Sequence, residues 1–273
     1  MATPIIKWVG GKRQLLEEIT ARLPENFGTY FEPFFGGGAV FFSINPEHAV
    51  INDFNSQLVN VYKQIKDNCD FVAEKLNKMQ DEYNNLGSDE EKTTYYSTLR
   101  ATFNECIEHD SLTVDSASLF IFINKTCFNG LYRVNAKGKF NVPSAHKDTV
   151  KVYDASNLAE ASERLKNAVI RQGDFEKACR GAKKGDLVFF DSPYYDTFDT
   201  YQAGGFSEAD HIRLANLFKR LSKRGVYCVL TNSNTDFIKN LYEDYNIDVV
   251  SVKRLINRDA QNRTGEEVII TNF

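Results

Sequence analysis

The sequence predicts one α/β domain with a mostly parallel sheet, helices on both faces of the sheet and a helical insertion. Short apolar runs alternate with helical patterns over the first 55 residues and again after residue 152. Because repeated β-α units of this length place their strands side by side in one direction, the alternation favours a parallel sheet. Residues 56–152 interrupt the alternation, and 273 residues are enough for one large domain with such an insertion.

The N-terminal part has the order helix, strand, helix, strand. A helix is predicted over residues 11–21, where the apolar residues share one face. A strand over residues 29–32 leads into three glycines, and a helix and the strand 49–52 follow. We therefore expect the sheet to start with a β-loop-α-β unit.

The middle part, residues 56–152, is expected to be mostly helical. Polar helical patterns come first, and an apolar helix is predicted over residues 115–127. The next residues read FNGLYRVNAKGKFNVP, in which an Asn-Gly pair and a Lys-Gly pair are turn signals typical of a hairpin or an irregular loop. This stretch has the character of a binding segment.

Strands and helices alternate again after the insertion. The predicted strands cover residues 169–172, 187–190, 226–231, 247–253 and 267–272, and the predicted helices cover residues 208–224 and 236–245. We expect residues 1–55 and 153–273 to form one domain around the sheet and residues 56–152 to form a second one.

Charge, cysteine usage and hydropathy exclude several classes of protein. The formal net charge is -4 at pH 7, so any contact with nucleic acid needs a local basic patch. The five cysteines are widely spaced and never form a CxxC pair, which argues against a disulfide framework or a zinc site and favours a reducing cytoplasm. The chain has neither a signal-peptide pattern nor a run of about 18 apolar residues, so we expect no membrane span.

A glycine turn followed by an acid is the first chemical signal. The strand in YFEPFFGGGAVFF runs into Gly36 and Gly38, and glycines at such a turn let a ligand approach the backbone closely. Asp53 follows Gly36 by 17 residues, close to the interval at which an acid after the second strand binds ribose hydroxyls. A plain tight turn is the alternative, but the two features together favour a nucleoside pocket.

The segment KWVGGKR, residues 7–13, excludes one class of enzyme. Its GGK suggests a phosphate-binding loop, but Ile6 stands where that loop needs a glycine. We therefore exclude a P-loop NTPase.

An acid ends a buried strand in LVFFDSPYY. Ligands of open α/β sheets bind beyond the carboxyl ends of the strands, so Asp191 is expected at the mouth of a cleft. Its carboxylate could accept hydrogen bonds from an amino group, and Tyr194 could stack on a flat ring. A polar cap with packing tyrosines explains this segment equally well when it is considered alone.

Together these motifs resemble a known family. FxPFxGGG, the spaced acid and D-x-P-Y resemble the S-adenosylmethionine-dependent DNA adenine-N6 methyltransferases, and KWxGGKxxLL, NGLxRxNxxGxFNVP and GDF resemble the Dam group within them. The similarity covers nearly the whole chain, in the order of the alpha group of amino methyltransferases. It implies a Rossmann-like methyltransferase sheet in residues 1–55 and 153–273, with residues 56–152 as the DNA target-recognition domain.

The resemblance implies a binding site for S-adenosylmethionine. In that site Asp53 would bind the ribose, and Asp174 and Phe175 would flank the adenine of the cofactor. The other matching positions are Trp8 and Lys12 of the N-terminal motif, Phe34, Gly36 and Gly38 beside the methionine moiety, and Asp191. These roles fit the residues, since a sulfonium cofactor needs close backbone approach and a ribose acid but no phosphate-binding lysine.

The resemblance also implies the catalytic motif. Asp191, Ser192, Pro193 and Tyr194 match the family's D-P-P-Y, with Ser192 in place of the first proline. The target adenine, flipped out of the duplex, would donate its N6 amino group to the Asp191 carboxylate and to the Ser192 backbone carbonyl while it stacks on Tyr194. The methyl group would then be transferred directly, in line, without a covalent intermediate.

Basic residues cluster around the turn-rich segment, as phosphate binding requires in a protein of negative net charge. Six lysines and arginines between residues 124 and 151 stand against one acid, Asp148. The resemblance implies that this segment reads GATC, with Arg133 on a guanine, Asn129 and Leu131 near the central bases, Asn135 in the same motif, Pro143 against a thymine methyl and Lys7 at the outer guanine. A second basic loop, residues 253–263, is expected to contact the DNA backbone.

Two rival functions stay open at this point. An amino methyltransferase of another base or site, such as an N4-cytosine enzyme, has a related motif that often begins with serine, although Asp191 favours adenine. The other rival is a DNA-binding protein that has lost catalysis through Ser192, although Asp191 and Tyr194 are retained. We expect a metal-free cytoplasmic monomer that acts on double-stranded DNA; restriction-modification, phage protection and regulation all fit the sequence.

Overall fold

Seven strands of the described residues form a single sheet. The structure is a computed structural model, and it describes residues 2–196, 205–253 and 264–273. The strands are β1 (Tyr30–Glu32), β2 (Ala49–Asp53), β3 (Ala168–Gln172), β4 (Leu187–Phe190), β5 (Tyr227–Ser233), β6 (Asn246–Lys253) and β7 (Thr264–Thr271). They lie in the order β3-β2-β1-β4-β5-β7-β6, in which β1 to β5 pair in parallel and β7 runs antiparallel to both neighbours. The predicted mostly parallel sheet is confirmed.

Helices cover both faces of this sheet, as predicted. They are α1 (Leu16–Thr20), α2 (Ala39–Ile44), α3 (Ser56–Asp67), α4 (Cys69–Asn84), α5 (Asp89–Glu108), α6 (Val114–Thr126), α7 (Ala155–Lys166), α8 (Phe175–Ala178), α9 (Glu208–Lys223) and α10 (Asp236–Leu241), with short 3₁₀ turns at Lys12–Gln14 and Phe128–Gly130. Side chains of α2, α3 and α7 contribute to one hydrophobic cluster and those of α8, α9 and α10 to another.

The strand residues divide between the two clusters by alternation. Tyr30 of β1 and Leu187 and Phe189 of β4 belong to the first cluster, whereas Phe31 and Val188 belong to the second. Successive side chains of a strand point to opposite faces, so a strand that is apolar at every position is buried on both sides. This explains why the apolar runs in the sequence are continuous.

The insertion is built around α6. This helix is apolar on most sides, and ten of its residues are buried because α3, α4 and α5 all pack against it. Its start and that of α5 are capping boxes, formed by Thr113 with Ser116 and by Ser88 with Glu91. Because α3 also packs on β2 and β3, the insertion and the sheet share the first cluster; the domain boundaries after residues 55 and 152 stay a prediction.

Three elements differ from the prediction. The helix expected over residues 11–21 is a 3₁₀ turn followed by the short α1, and the Lys12 ammonium folds back onto the Gly10 carbonyl at 2.7 Å. The amphipathic α7, capped by Asp154, was absent from the prediction. The last predicted helix ends at Leu241 instead of residue 245, because Tyr242 leaves the helical region with φ -122°.

The sequence predicts neither a disulfide framework nor a membrane span. All five cysteines are free thiols, and burial raises the pKa of Cys127 to about 11 and that of Cys228 to about 12. Within the described ranges, no helix combines the length and the apolar character needed to cross a membrane.

Candidate active site

Polar side chains collect where the parallel strands end. Glu32 ends β1, Asp53 ends β2, Asp191 follows β4, and Thr231 lies near the end of β5. The carboxyl ends of parallel strands share one edge of a sheet, which is where open α/β folds bind their ligands. The structure therefore brings the sequence-predicted Asp53 and Asp191 to one edge.

The glycine turn after β1 has room only for glycine. Gly36 has φ +48° and Gly38 has φ +67°, which L side chains rarely adopt. A Cβ on Gly36 would lie 2.7 Å from Cδ1 of Trp8. The Tyr62 hydroxyl donates to the Gly36 carbonyl at 2.7 Å, so the turn is held from a residue of α3 that sequence reasoning missed.

Asp53 is tied to this turn. Its Oδ2 accepts from the Gly36 amide and its Oδ1 from the Asn55 amide, each at 2.9 Å. Burial raises the pKa of the Asp53 carboxyl, against the lowering effect of these backbone donors. Since each carboxylate oxygen has a second lone pair, Asp53 can still accept a ligand hydroxyl.

An aromatic wall stands beyond β3. Phe34 and Phe175 are stacked with ring centroids 5.3 Å apart. Asp174 caps α8 and forms a 2.8 Å ion pair with Arg213, whose guanidinium also lies 4.9 Å from the Phe175 ring centroid. Burial raises the pKa of Asp174, but Arg213 and the cap amides outweigh it and keep that pKa below its ordinary value. The structure thus groups Asp174 and Phe175, the two residues predicted beside the adenine, with Phe34, which was predicted beside the methionine moiety. Arg213, which sequence reasoning missed, joins them.

Asp191 is held by two donors on one oxygen. Lys12 Nζ lies 2.6 Å from Asp191 Oδ1, and the Thr231 hydroxyl donates to the same oxygen at 2.9 Å. The Lys12 ammonium is almost fully buried and stands 4.6 Å from the centroid of the Tyr194 ring. Within the described part of the chain no group donates to Asp191 Oδ2. That oxygen is therefore available to an amino group.

The loop after β4 is anchored to the end of β5. Ser192 is buried, with its Oγ 3.4 Å from the Asn232 amide nitrogen, and the Tyr195 amide donates to Asn232 Oδ1 at 3.0 Å. Ser233 Oγ donates to the Tyr195 carbonyl at 2.8 Å. These bonds hold the loop from Ser192 to Tyr195 against the end of β5.

A buried acid, Glu32, lies behind Asp191. The Tyr30 hydroxyl donates to Glu32 Oε2 at 2.8 Å. Burial, and to a smaller extent the Asp191 charge, raise the pKa of Glu32 well above its ordinary value.

The predicted recognition segment begins against the N-terminal motif. Asn124 of α6 accepts from the Lys7 amide at 2.8 Å and donates to the carbonyls of Lys7 and Gly130. A Cβ on Gly130 would lie 2.4 Å from Cδ of Lys7. Lys7 therefore adjoins the start of the segment through Asn124, which the sequence did not reveal, and the contact of Lys7 with DNA stays a prediction.

The rest of the segment forms the predicted hairpin. Val134 bridges Phe140 in antiparallel pairing, and the turn between them closes on Asn135, whose side chain accepts from the amides of Lys137 and Lys139. Asn135 thus builds the turn. Its backbone amide donates to the Lys139 carbonyl at 2.9 Å.

The other predicted DNA contacts differ in exposure. Arg133 is exposed and donates from Nε to Asn141 Oδ1 at 2.8 Å. Asn129 and Pro143 are exposed and Leu131 is half-buried. In the second basic loop, residues 254–263 lie outside the described residues. In the described ranges no group of three or more His, Cys, Asp or Glu side chains could hold a metal ion, and metal-free chemistry stays a prediction.

Comparisons with known proteins agree with this site. The sequence profile of a family described as D12 class N6 adenine-specific DNA methyltransferase matches residues 8–256. The Type II methyltransferase M1.LlaDCHI of Lactococcus lactis subsp. cremoris is 40% identical over 99% of this chain and 95% of its own length. The Type II methyltransferase M.MjaIII of Methanocaldococcus jannaschii is 39% identical over 99% of both chains. A DNA adenine methylase of Haemophilus influenzae is 29% identical over 99% of this chain and 93% of its own length.

Proposed function

The chain belongs to the D12 class of N6 adenine-specific DNA methyltransferases, and from this membership we propose that it methylates the adenine of GATC in duplex DNA with S-adenosylmethionine as the methyl donor. Residues 56–152 serve as its target-recognition part, and the enzyme works as a monomer. The arrangement of Asp191, Ser192 and Tyr194 at the end of β4 carries the catalytic part of this proposal.

Asp191 and Ser192 provide the two acceptors that an amino group needs. Asp191 Oδ2 and the Ser192 carbonyl oxygen are neighbours along the chain, and no described residue donates to either. An amino group that donates both its hydrogens to these acceptors directs its nitrogen lone pair away from them. Serine supplies the same backbone carbonyl as proline, so the substitution at residue 192 is compatible with transfer.

Asp191 can accept the proton that methyl transfer releases from the amino group. S-adenosylmethionine supplies an activated methyl group on a sulfonium. As N6 forms its bond to the methyl carbon, the bond from that carbon to sulfur would break and leave the cofactor as a neutral thioether. N6 must also lose one hydrogen as a proton, and Asp191 Oδ2 is placed to accept it. Lys12 and Thr231 keep the other oxygen occupied, which fixes the carboxylate orientation.

The residues beside the glycine turn fit a sulfonium cofactor. Asp53 places a carboxylate with spare lone pairs where a ribose hydroxyl would donate. Gly173, whose carbonyl accepts from Asn52, has φ +120°. Among the described residues other than its chain neighbours, no atom lies within 4 Å of the position that a Cβ on Gly173 would occupy. Open space beside an acid and an aromatic wall suits a nucleoside, and the carboxylates of Asp53 and Asp191 suit a positively charged sulfonium.

The geometry of Arg133 supports guanine readout. The guanidinium is tethered through Nε to Asn141, so its two terminal nitrogens point away from the tether at an exposed position. Two such nitrogens match O6 and N7 of guanine in the major groove. Other basic side chains of the segment are engaged with the protein: Lys139 pairs with Glu108, Lys147 donates to the Lys125 carbonyl and Lys151 pairs with Asp154.

The experiment that tests this function is a pair of digests. The purified protein is incubated with S-adenosylmethionine and plasmid DNA free of adenine methylation, with Asp191→Ala as the inactive control. A nuclease that requires methylated GATC should then cut, and one that methylated GATC blocks should not. Unchanged digests with 6-methyladenine present in the nucleoside mass spectrum would overturn the GATC site alone. Complete absence of 6-methyladenine would overturn catalysis and leave a DNA-binding protein.

A further inference from the structure

We propose that Glu267 is a positioning residue that fixes the Tyr194 ring for stacking on the flipped adenine. The proposal rests on the proposed function, because it assigns a role at the same site. It adds a residue that lies outside every motif described above, on the antiparallel strand β7.

The contact itself is short and charge-assisted. The Tyr194 hydroxyl donates to Glu267 Oε2 at 2.6 Å. Burial, with the charges of Asp191 and Glu267, raises the pKa of the Tyr194 phenol well above its ordinary value. The phenol therefore stays protonated at neutral pH and remains the donor.

The strand that carries Glu267 is a rigid support. β7 lies between β5 and β6, and the Glu267 backbone is in register with Ser233 on one side and Val250 on the other. The Cα end of Tyr194 is held by the loop that Asn232 anchors, and Glu267 holds the hydroxyl end. A ring held at both ends cannot rotate freely about its side-chain torsions, and binding sites need orientations fixed within about 10 to 20°.

The same strands connect the ring to the catalytic acid. Thr231 of β5 donates to Asp191 Oδ1 and lies close enough to the Tyr194 phenol to influence its pKa. The Asp191 carboxylate and the Tyr194 ring are thus held by side chains of two adjacent strands, β5 and β7. A tyrosine hydroxyl at a half-buried position could be satisfied by water alone, so the carboxylate on β7 has its main effect on where the ring lies.

The test compares Glu267→Ala, Glu267→Gln and Tyr194→Phe with the wild type in single-turnover methylation, measured as total 6-methyladenine. Glu267→Ala should slow methyl transfer by about 10- to 100-fold, since a displacement of about 1 Å near reacting atoms costs rate of that order. The dissociation constant for DNA should change by less than about twofold because phosphate contacts dominate affinity. Glu267→Gln keeps an acceptor oxygen and should restore most of the rate.

A second readout responds to ring position and not to stability. Fluorescence of 2-aminopurine at the target position is quenched when the flipped base stacks on an aromatic ring. The complex of Glu267→Ala should therefore be brighter than that of the wild type. In the Tyr194→Phe background, Glu267→Ala should cause little further loss of rate, because the hydroxyl that it holds is already gone.

Glu266→Ala is the matched control. Glu266 adjoins Glu267 but is exposed, and it accepts from the side-chain amide of Asn234 at 2.8 Å instead of contacting Tyr194. This variant should therefore keep the wild-type rate. Equal rates for the wild type and Glu267→Ala, or independent losses that add in the double variant, would overturn the positioning role. A wild type that makes no 6-methyladenine on any DNA would overturn the proposed function instead, so the two failures are distinguishable.

Discussion

Lys12 Nζ lies 2.6 Å from Asp191 Oδ1, which joins the N-terminal motif directly to the acid that follows β4. The ammonium is almost fully buried, while the Asp191 side chain keeps 19% of its surface exposed. The same ammonium donates to the Gly10 carbonyl and stands over the Tyr194 ring. Lys12 therefore contacts both the Asp191 carboxylate and the Tyr194 ring, in addition to any contact with the cofactor.

Removal of the Lys12 charge should destabilise the fold. In Lys12→Met the Asp191 carboxylate keeps only Thr231 as a donor, and breaking a largely buried ion pair costs up to 3 to 5 kcal/mol. Because Asp191 is partly exposed, we expect a loss of about 2 kcal/mol in the free energy of unfolding, measured by urea denaturation. Lys151→Met, which removes the exposed pair with Asp154, is the control and should lose less than about 1 kcal/mol. Equal losses in both variants would contradict the prediction.

Arg133 should discriminate among bases, whereas Lys137 should not. Arg133→Ala is expected to cost about 1 to 3 kcal/mol at the cognate site and to relax selectivity at one guanine. Lys137 lies at the exposed hairpin turn, and Lys137→Ala should weaken binding to all sequences alike. It should also reduce by about one the slope of the logarithm of the binding constant against the logarithm of the salt concentration. Competition binding with single-base variants of GATC at several salt concentrations measures both effects. Unchanged site preference in Arg133→Ala would remove this residue from the readout.

Gly36 should tolerate no side chain. Gly36→Ala places a methyl group 2.7 Å from Trp8 Cδ1 at a φ of +48°, and we expect a loss of about 2 kcal/mol in the free energy of unfolding. Since the Gly36 amide also donates to Asp53, affinity for S-adenosylmethionine should fall, as titration calorimetry would show. Gly87→Ala is the matched control, because among the described residues its methyl group would meet only Glu91 Oε2, at 3.6 Å. If Gly36→Ala binds S-adenosylmethionine with the affinity of the wild type, the hydrogen bond between Gly36 and Asp53 is not needed for cofactor binding, and the prediction is wrong.

Stability should fall at acid pH because of His211. Burial lowers the pKa of His211 from 6.5 to about 4, and its Nε2 has no hydrogen-bond partner among the described residues. Below pH 6.5 the His211 side chain takes up a proton in the unfolded chain but not in the folded chain. The free energy of unfolding therefore keeps its full value with respect to His211 above pH 6.5 and falls as the pH decreases towards 4. The loss is at most about 3 kcal/mol.

The variant His211→Phe tests this assignment. Phenylalanine keeps the aromatic packing, in which His211 meets Tyr195, Phe206 and Phe237. The free energy of unfolding of the variant should depend less steeply on pH between 4 and 6.5 than that of the wild type. Parallel curves for the two proteins would assign the acid sensitivity to other groups.

Local patterns predicted most of the fold. The apolar runs of β2 and β4 predicted strands, and the structure buries both strands on both faces of the sheet. The prediction failed where local signals were weak: α7 is amphipathic but largely polar, and the segment around Lys12 takes its shape from a side chain that turns back to the sheet edge.

By itself the sequence determined most of the strands and helices in their order along the chain, the glycine turn, and Asp53 and Asp191 as candidate ligand-binding residues, because each of these depends on local patterns. Only the tertiary structure decided that Lys12, Thr231 and Glu267 meet around Asp191 and Tyr194. The physical reason is the strand order: β4 pairs with β5, and β5 pairs with the antiparallel β7. Such pairing joins residues that are far apart in the chain and leaves no periodic signal in the sequence.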